Sequence, residues 1–498
     1  MNNKHILVID AGTTGIRVLI YNERNHILAQ AYTEFPNYHP AEDRVEQDAN
    51  EIWAATQQMM DKALDFLSLR LNDMSCIGIT NQRATTVIWD KATGEPVSRA
   101  IVWQDTRTAS RVEELQPEWA EKVYQRTGWA LAPVYSSLSI EWILNNEPGV
   151  KERAQRGELA FGTIDSWLVY CLTGGANHVI SASNASVTGS YDLTTGQWYE
   201  EWLSALDIPL SMFPEVCDDS GEIGRTDERV TGGSVPISGV IADQHAALFA
   251  QGCIEPGMAK CTHGTGTFLD LLIGEEPKID TNSGICCQIA WRHKGKTLYA
   301  LQGYAGCTGS AIQWLRDGLQ IIDSSAESKS VASQVPDNGG VYFVPALTGL
   351  SAPYWDPYAR GTILGISPGT TRCHIVRATL EGIVYSVRDF ITEMQKISGF
   401  DIKSIAVDGG ASKNNLLVQF QADQLGVDIV RPRNVEATSL GAALMAGLGV
   451  GIWKNEKECF AVSRNRQLFK PLIDEATRET QYQTWKLAVE RSRKWSKL

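Results

Sequence analysis

The sequence has 498 residues, with Lys+Arg 45 against Asp+Glu 58 for a formal net charge of −13, and is 43% hydrophobic and 21% charged. At about 100–250 residues per domain this length asks for two or three cores, and the ordinary apolar content excludes wholesale disorder. The acidic balance argues against nucleic acid as a main partner, although a local loop can still hold a small anion such as a nucleotide. The 10 cysteines contain no CxxC spacing and fall short of a disulfide scaffold or a zinc site. No apolar run reaches the ~20 residues of a membrane span, and the opening MNNKHILVIDAG lacks a signal-peptide layout. The expectation is a soluble, cytoplasmic protein with no membrane partner.

In chain order, residues 5–10 (HILVID) read as a short buried strand, and 11–15 (AGTTG) as a tight turn. Two more strands follow at 17–21 and 27–32. A helix starts after Asp48, which can cap it, with Glu51 placed for a capping box. Its buried face is expected to carry Trp53, Met60, Leu64 and Leu67. Residues 77–80 (IGIT) form the next buried strand. Three strands, a helix and a strand in that order imply a mixed sheet flanked by helices.

The same opening recurs some way on. Residues 257–261 lead into HGTGTFLDLLIG at 263–274, again strand, Gly-Thr turn, strand. Two copies of one unit suggest two related domains facing each other, with the junction near 251–257 and domains at 1–251 and 252–498. Residues 405–408 (IAVD) then end in Gly409-Gly410 and a helix. The tail beyond Pro471 reads as a basic amphipathic docking helix carrying Trp485, Val489 and Trp495.

The chemistry sits in the turns. Thr13, Thr14 and Gly15 offer hydroxyls and approachable backbone N–H groups to a phosphate, with Arg17 just beyond. Asp10, at a strand end, suits a magnesium ion held through water. Thr265, between Gly264 and Gly266, offers the same tools in the second copy. Either turn alone reads as an ordinary β-turn; two at equivalent places read as clamps on either side of a cleft. The third loop, Asp408 to Asn415, lets a flat ring approach its glycines, and Asn414 can meet a base or ribose. It lacks both GxGxxG and GxxxxGK[ST], so a Rossmann or P-loop assignment is unsupported.

These loops, in this order and nearly end to end, resemble the FGGY family of sugar and polyol kinases, and within it most closely the glycerol kinases. The segments that carry the likeness are 78–83 (GITNQR), 100–104 (AIVWQ), 161–167 (FGTIDSW), 239–252, 354–361 (YWDPYARG) and 407–410. The resemblance implies two α/β domains of the actin-like ATPase (ribonuclease H-like) type flanking a deep cleft. It also implies ATP with Mg2+ as cofactors and a small polyol or sugar as acceptor. Thr13, Thr14, Gly15, Arg17, Thr265, Gly309, Gln313, Gly410 and Asn414 would then contact the nucleotide, and Asp10 and Asp243 the metal. Asp243 matches the family's catalytic base, a role that suits a carboxylate beside an attacking hydroxyl. Read without the family, it is a cap for the helix that follows. His245, alone on an apolar helix, reads as structural. A homodimer or homotetramer is expected by analogy.

Arg83, Trp103, Gln244 and Phe268 keep the types expected of the substrate pocket. Two positions do not. The NQR motif of glycerol kinases is followed by glutamate, where this chain has Ala84. Their pocket tyrosine directly follows a proline, where this chain has Val134 and only then Tyr135. Loss of two polar partners changes which hydroxyls the site can recognise. The expected acceptor is therefore glycerol, or a larger polyol or ketose such as erythritol, xylulose or ribulose with poor glycerol activity. A rival of another class is an actin- or chaperone-like ATPase that phosphorylates no small molecule.

Overall fold

The computed structural model describes residues 4–432, 436–460 and 466–497; the outer limits of the two expected domains, residues 1 and 498, lie outside them. Its framework is a 13-stranded mixed sheet in which one unit is built twice. In the first unit His5–Ala11 pairs antiparallel with Gly15–Asn22, which pairs antiparallel with Ile27–Glu34. On its other side His5–Ala11 runs parallel to Cys76–Asn81, and that strand parallel to Pro236–Ala242. In the second unit Met258–His263 pairs antiparallel with Thr267–Gly274, and that strand with Lys296–Ala305. Ser404–Asp408 and Ile429–Pro432 continue it in parallel. Strand Cys286–His293 lies antiparallel to Lys296–Ala305 and touches the first unit's sheet through the pair Ser220–His293.

Local chemistry explains these elements. Ile6, Leu7, Val8 and Ile9 are fully buried, as a strand covered on both faces requires. Helix Ala49–Leu67 begins where Asp48 accepts from the Asn50 amide at 2.8 Å. The capping box is left half-made, because Glu51 instead accepts from the Tyr38 hydroxyl at 2.8 Å. The helix buries Ile52, Thr56, Met59, Met60, Ala63 and Leu64; Trp53 and Leu67 only flank that stripe, half-buried.

Two further helices complete the packing around the sheet. Helix Ala437–Gly449 comes from the end of the chain yet packs on the first unit. A Cβ on Gly78 would sit 2.6 Å from the Ala442 carbonyl oxygen, and one on Gly239 would sit 2.3 Å from the Ala446 nitrogen. That closeness lets Ser238 and Ser220 donate to the Ala446 and Met445 carbonyls, each at 2.8 Å. The tail forms helix Glu475–Ser492 and docks by Tyr482 and Trp485, which both donate to buried Asp389 at 2.7 and 2.9 Å. Trp495, beyond it, is exposed. Among the described residues no helix is long and apolar enough to cross a membrane.

Candidate active site

The parallel strands of the first unit end together, the place where α/β sheets gather ligand-binding loops. Asp10 is the register partner of Thr80, and Ala242 that of Asn81, so Asp10, the 82–84 loop and Asp243 meet at the carboxyl ends of three adjacent strands. Asp243 opens helix Asp243–Ala250, with Ala242 as its cap. Its Oδ1 accepts from the Gln244 amide at 2.7 Å and lies 3.4 Å from Arg83 Nε.

The two glycine–threonine turns are built alike. The Gly12 amide donates to the Gly15 carbonyl at 3.0 Å, and the Gly264 amide to the Gly266 carbonyl at 2.9 Å. A Cβ at Gly15 would sit 2.4 Å from the Thr33 carbonyl oxygen, and one at Gly266 would sit 2.5 Å from that of Ala305. Only glycine allows these turns to press so close on their neighbouring strands. Thr14 and Thr265 are left exposed at the two tips. Gly309 begins helix Gly309–Asp317 and donates its amide to the Gly264 carbonyl at 3.0 Å, so that helix end abuts the second turn. Gln313, one turn later, is exposed.

The first turn is tied to the expected substrate side. Trp103 Nε1 donates to Thr13 Oγ1 at 3.1 Å, and Gln47 Nε2 to the Thr13 carbonyl at 2.7 Å. Arg17 pairs with Glu436 from the far half of the chain, so its guanidinium bridges the halves beside the turn. In the third loop Gly409, at φ +86, lies against His263, where a Cβ would sit 2.4 Å from the carbonyl oxygen. At Gly410 a Cβ would meet nothing within 4 Å. Asn414 caps helix Asn415–Leu425 by accepting from the Leu416 amide at 3.0 Å.

Burial raises the pKa of Asp10 to about 7, Arg17 opposes the rise, and Asp243 and Glu436 add to it. Burial also raises that of Asp243; Arg83, the Gln244 amide and Lys260 oppose it, and Asp270 adds to it. Burial is thus the main resistance to ionising either carboxylate, and the Asp243 charge adds to it at Asp10. His245 is buried, with its pKa driven well below the usual value, and neither ring nitrogen has a hydrogen-bond partner among the described residues. Among the described residues no group of three or more His, Cys, Asp or Glu side chains could hold a metal ion. Any metal here would take most of its ligands from phosphate and water.

Tyr135 stands apart from the expected pocket. It is fully buried, its hydroxyl donates to the Trp129 carbonyl at 2.5 Å and lies 3.2 Å from Thr127 Oγ1, and its ring fills the space above Gly189. That hydroxyl is committed to the protein, and Tyr135 does not stand in for the tyrosine missing at Val134, which is itself half-buried. Ala84, at φ +60, sits beside the same segment, its carbonyl accepting from Ser136 Oγ at 3.1 Å. Phe268 packs on Tyr304 with the rings tilted by 36° and their centroids 4.7 Å apart.

Sequence reasoning missed a group contributed by the second unit. Arg83 Nη1 donates to Gln288 Oε1 at 3.3 Å and Gln302 Oε1 at 3.2 Å, and Lys260 Nζ donates to Gln244 Oε1 at 2.7 Å. Lys260 Nζ also lies 2.9 Å from Asp270 Oδ2, both side chains fully buried. The available signal was a lysine and an aspartate inside apolar strands, where a charge seldom lies unless paired.

Residues 5–250 match the model of the FGGY family of carbohydrate kinases, N-terminal domain, and residues 259–450 that of the C-terminal domain. A glycerol kinase of Carboxydothermus hydrogenoformans is 47% identical over 497 residues, 99% of each chain. Glycerol kinase 2 of Thermotoga maritima is 46% identical over 99% of this chain and 100% of its own. The crystal structure of Plasmodium falciparum glycerol kinase with ADP superposes with a TM-score of 0.94 at 32% identity, covering 98% of each chain.

Proposed function

We propose, for a chain that belongs to the FGGY family of carbohydrate kinases, that the alcohol it phosphorylates is a polyol or ketose longer than glycerol. Likeness to glycerol kinases over the full length makes the chain an ATP-dependent phosphotransferase with an alcohol acceptor, glycerol kinase-like in its reaction. That likeness sets aside an ATPase cycle without a small-molecule acceptor. The division at 1–251 and 252–498 belongs to the proposal and is supported by the spans of the two family models. So does a cytoplasmic location, which suits the ATP requirement and ten cysteines that are all free.

The observation that carries the longer acceptor is Trp129. Its indole Nε1 is buried with no hydrogen-bond partner among the described residues, and its ring centroid lies 5.9 Å from Arg83 Cζ. An unmet buried donor costs ~1–3 kcal/mol. A hydroxyl on a fourth or fifth carbon supplies the acceptor, in the space that Ala84 and Val134 leave by being small and apolar. Erythritol, xylulose and ribulose have such a hydroxyl; glycerol does not.

In this reading the acceptor's primary hydroxyl lies against Asp243, which takes its proton as the new O–P bond forms and the γ-phosphate leaves ADP. Arg83, Trp103, Gln244 and Phe268 hold the acceptor. Thr13, Thr14, Gly15 and Arg17 meet the phosphates from one side, Thr265 and Gly309 from the other. Gln313, Gly410 and Asn414 flank the nucleoside. Asp10 and Asp243 would suit a magnesium ion, since a divalent cation would offset the burial that raises both pKa values and the repulsion that Asp243 adds at Asp10. When bound, that ion supplies positive charge to the triphosphate.

ADP release measured over glycerol, erythritol, xylulose and ribulose tests the acceptor. The expected result is a kcat/KM for one of the longer acceptors at least tenfold above glycerol; glycerol at the top of the series refutes the longer acceptor. Glycerol itself is the second reading, favoured by the identity of 46–47% to enzymes named for it.

A further inference from the structure

Arg83 has five donor hydrogens to place. Nε faces Asp243 at 3.4 Å, and Nη1 donates to the oxygens of Gln288 and Gln302. Among the described residues Nη2 takes no protein partner, which leaves it for a ligand. An amide can present either its oxygen or its NH2 group, so something must hold these two with the oxygen toward the arginine. Asp270 does: its Oδ1 accepts from Gln288 Nε2 at 3.2 Å and from Gln302 Nε2 at 2.6 Å. A carboxylate only accepts, and so both amides are locked with NH2 toward Asp270 and oxygen toward Arg83. Its other oxygen pairs with Lys260, whose Nζ also fixes the Gln244 oxygen.

Lys260, Asp270 and Gln302 are successive register partners across Met258–His263, Thr267–Gly274 and Lys296–Ala305. The row therefore lies on one face of three adjacent strands, aimed at two side chains from the first unit. A buried lysine–aspartate pair is poor value as a stabiliser, since apolar residues of similar volume often serve as well. Its position beside the pocket gives it another use.

From this geometry we infer that Asp270, Gln288, Gln302 and Lys260 are positioning residues for acceptor binding. Asp270 orients the two glutamines that hold Arg83 in place with Nη2 turned to the acceptor, and Lys260 does the same for Gln244. The inference rests on the reading that Arg83 binds the acceptor. It adds that a buried polar row of the second unit sets acceptor affinity through Arg83 and Gln244.

The test is a set of purified variants of the full chain, assayed by ADP release with the best acceptor of the panel. Gln288→Leu with Gln302→Leu is expected to raise the acceptor KM at least tenfold while the ATP KM stays within twofold. Combined with Arg83→Ala, the glutamine changes are expected to add less than twofold to the KM of Arg83→Ala alone. An acceptor KM within twofold of the unmodified protein overturns the inference; so does a full tenfold effect persisting without Arg83, which would mark general damage. Should the double leucine variant not fold, Gln288→Met alone, which keeps side-chain length but loses the acceptor oxygen, is held to the same comparison at threefold. If Arg83→Ala leaves the acceptor KM unmoved, the pocket assignment itself fails, a result distinct from failure of the positioning residues.

Discussion

Arg83 Nε lies 3.4 Å from Asp243 Oδ1, so the residue expected to hold the acceptor also governs the proton affinity of the expected base. Burial raises the Asp243 pKa and Arg83 is the largest influence opposing it. The base works only when ionised, and kcat should therefore fall as pH drops, through an acid limb above the ordinary carboxylate range. Arg83→Ala removes the opposing charge and should move that limb further up. Asp243→Asn should cost ~10²–10⁴ in kcat, with the ATP KM little changed. pH–rate profiles of the three proteins check all of this; an acid limb that stays put in Arg83→Ala would refute the coupling.

The adjacent glycines of the third loop should behave oppositely. Gly409 is at φ +86, and a Cβ there would sit 2.4 Å from the His263 carbonyl oxygen. Gly409→Ala should destabilise the fold by at least ~1–3 kcal/mol. Gly410 has nothing within reach of a Cβ, so Gly410→Ala should melt like the unmodified protein and yet raise the ATP KM several-fold. Thermal melts alongside ATP titrations separate the two; an unchanged ATP affinity would remove Gly410 from the nucleotide site.

In the proposed site Asp10 couples the metal to protons. Its folded pKa is raised to about 7 from the usual 3.8, so the metal-free fold holds a proton there that the unfolded chain has already lost. Stability of the metal-free protein should then decline as pH rises through that window. Asp10→Asn should raise the melting temperature at pH 8 by ~2 °C or more while abolishing activity. Adding magnesium and ATP near pH 7 should release protons, read by calorimetry in two buffers of different ionisation enthalpy. No proton release would mean that the metal does not engage Asp10.

Refilling the pocket should reverse the acceptor preference. Ala84→Glu with Val134→Tyr restores the polar pair that glycerol kinases carry, and should shift kcat/KM toward glycerol relative to the longer acceptors by ~10-fold or more. The panel assay reads this directly. An unaltered ratio would show that these two positions do not choose the acceptor.

Much of this architecture can be read from local signals. The Asp48 cap, the buried run after His5 and the doubled Gly-Thr turn each follow from chemistry within a few residues. What escapes a linear reading is anything that depends on register or on competition between partners. Glu51 is placed for a capping box but is claimed by Tyr38, thirteen residues away. Tyr135 is adjacent to Val134, yet the chain turns it inward to Trp129. Lys260, Asp270 and Gln302 become neighbours only once three strands are paired, and their meeting with Arg83 and Gln244 requires both halves of the chain. The candidate phosphate loops are thus written in short motifs, and the proposed acceptor wall is written across the sheet.

The seam made by Gly78, Gly239 and the helix Ala437–Gly449 has a consequence for how the polypeptide can be divided. The covering of the N-terminal sheet is encoded near the opposite end of the gene, so cutting between residues 251 and 258 separates a surface from its lid. Either fragment made alone should aggregate, whereas the two made together should reassemble and recover activity.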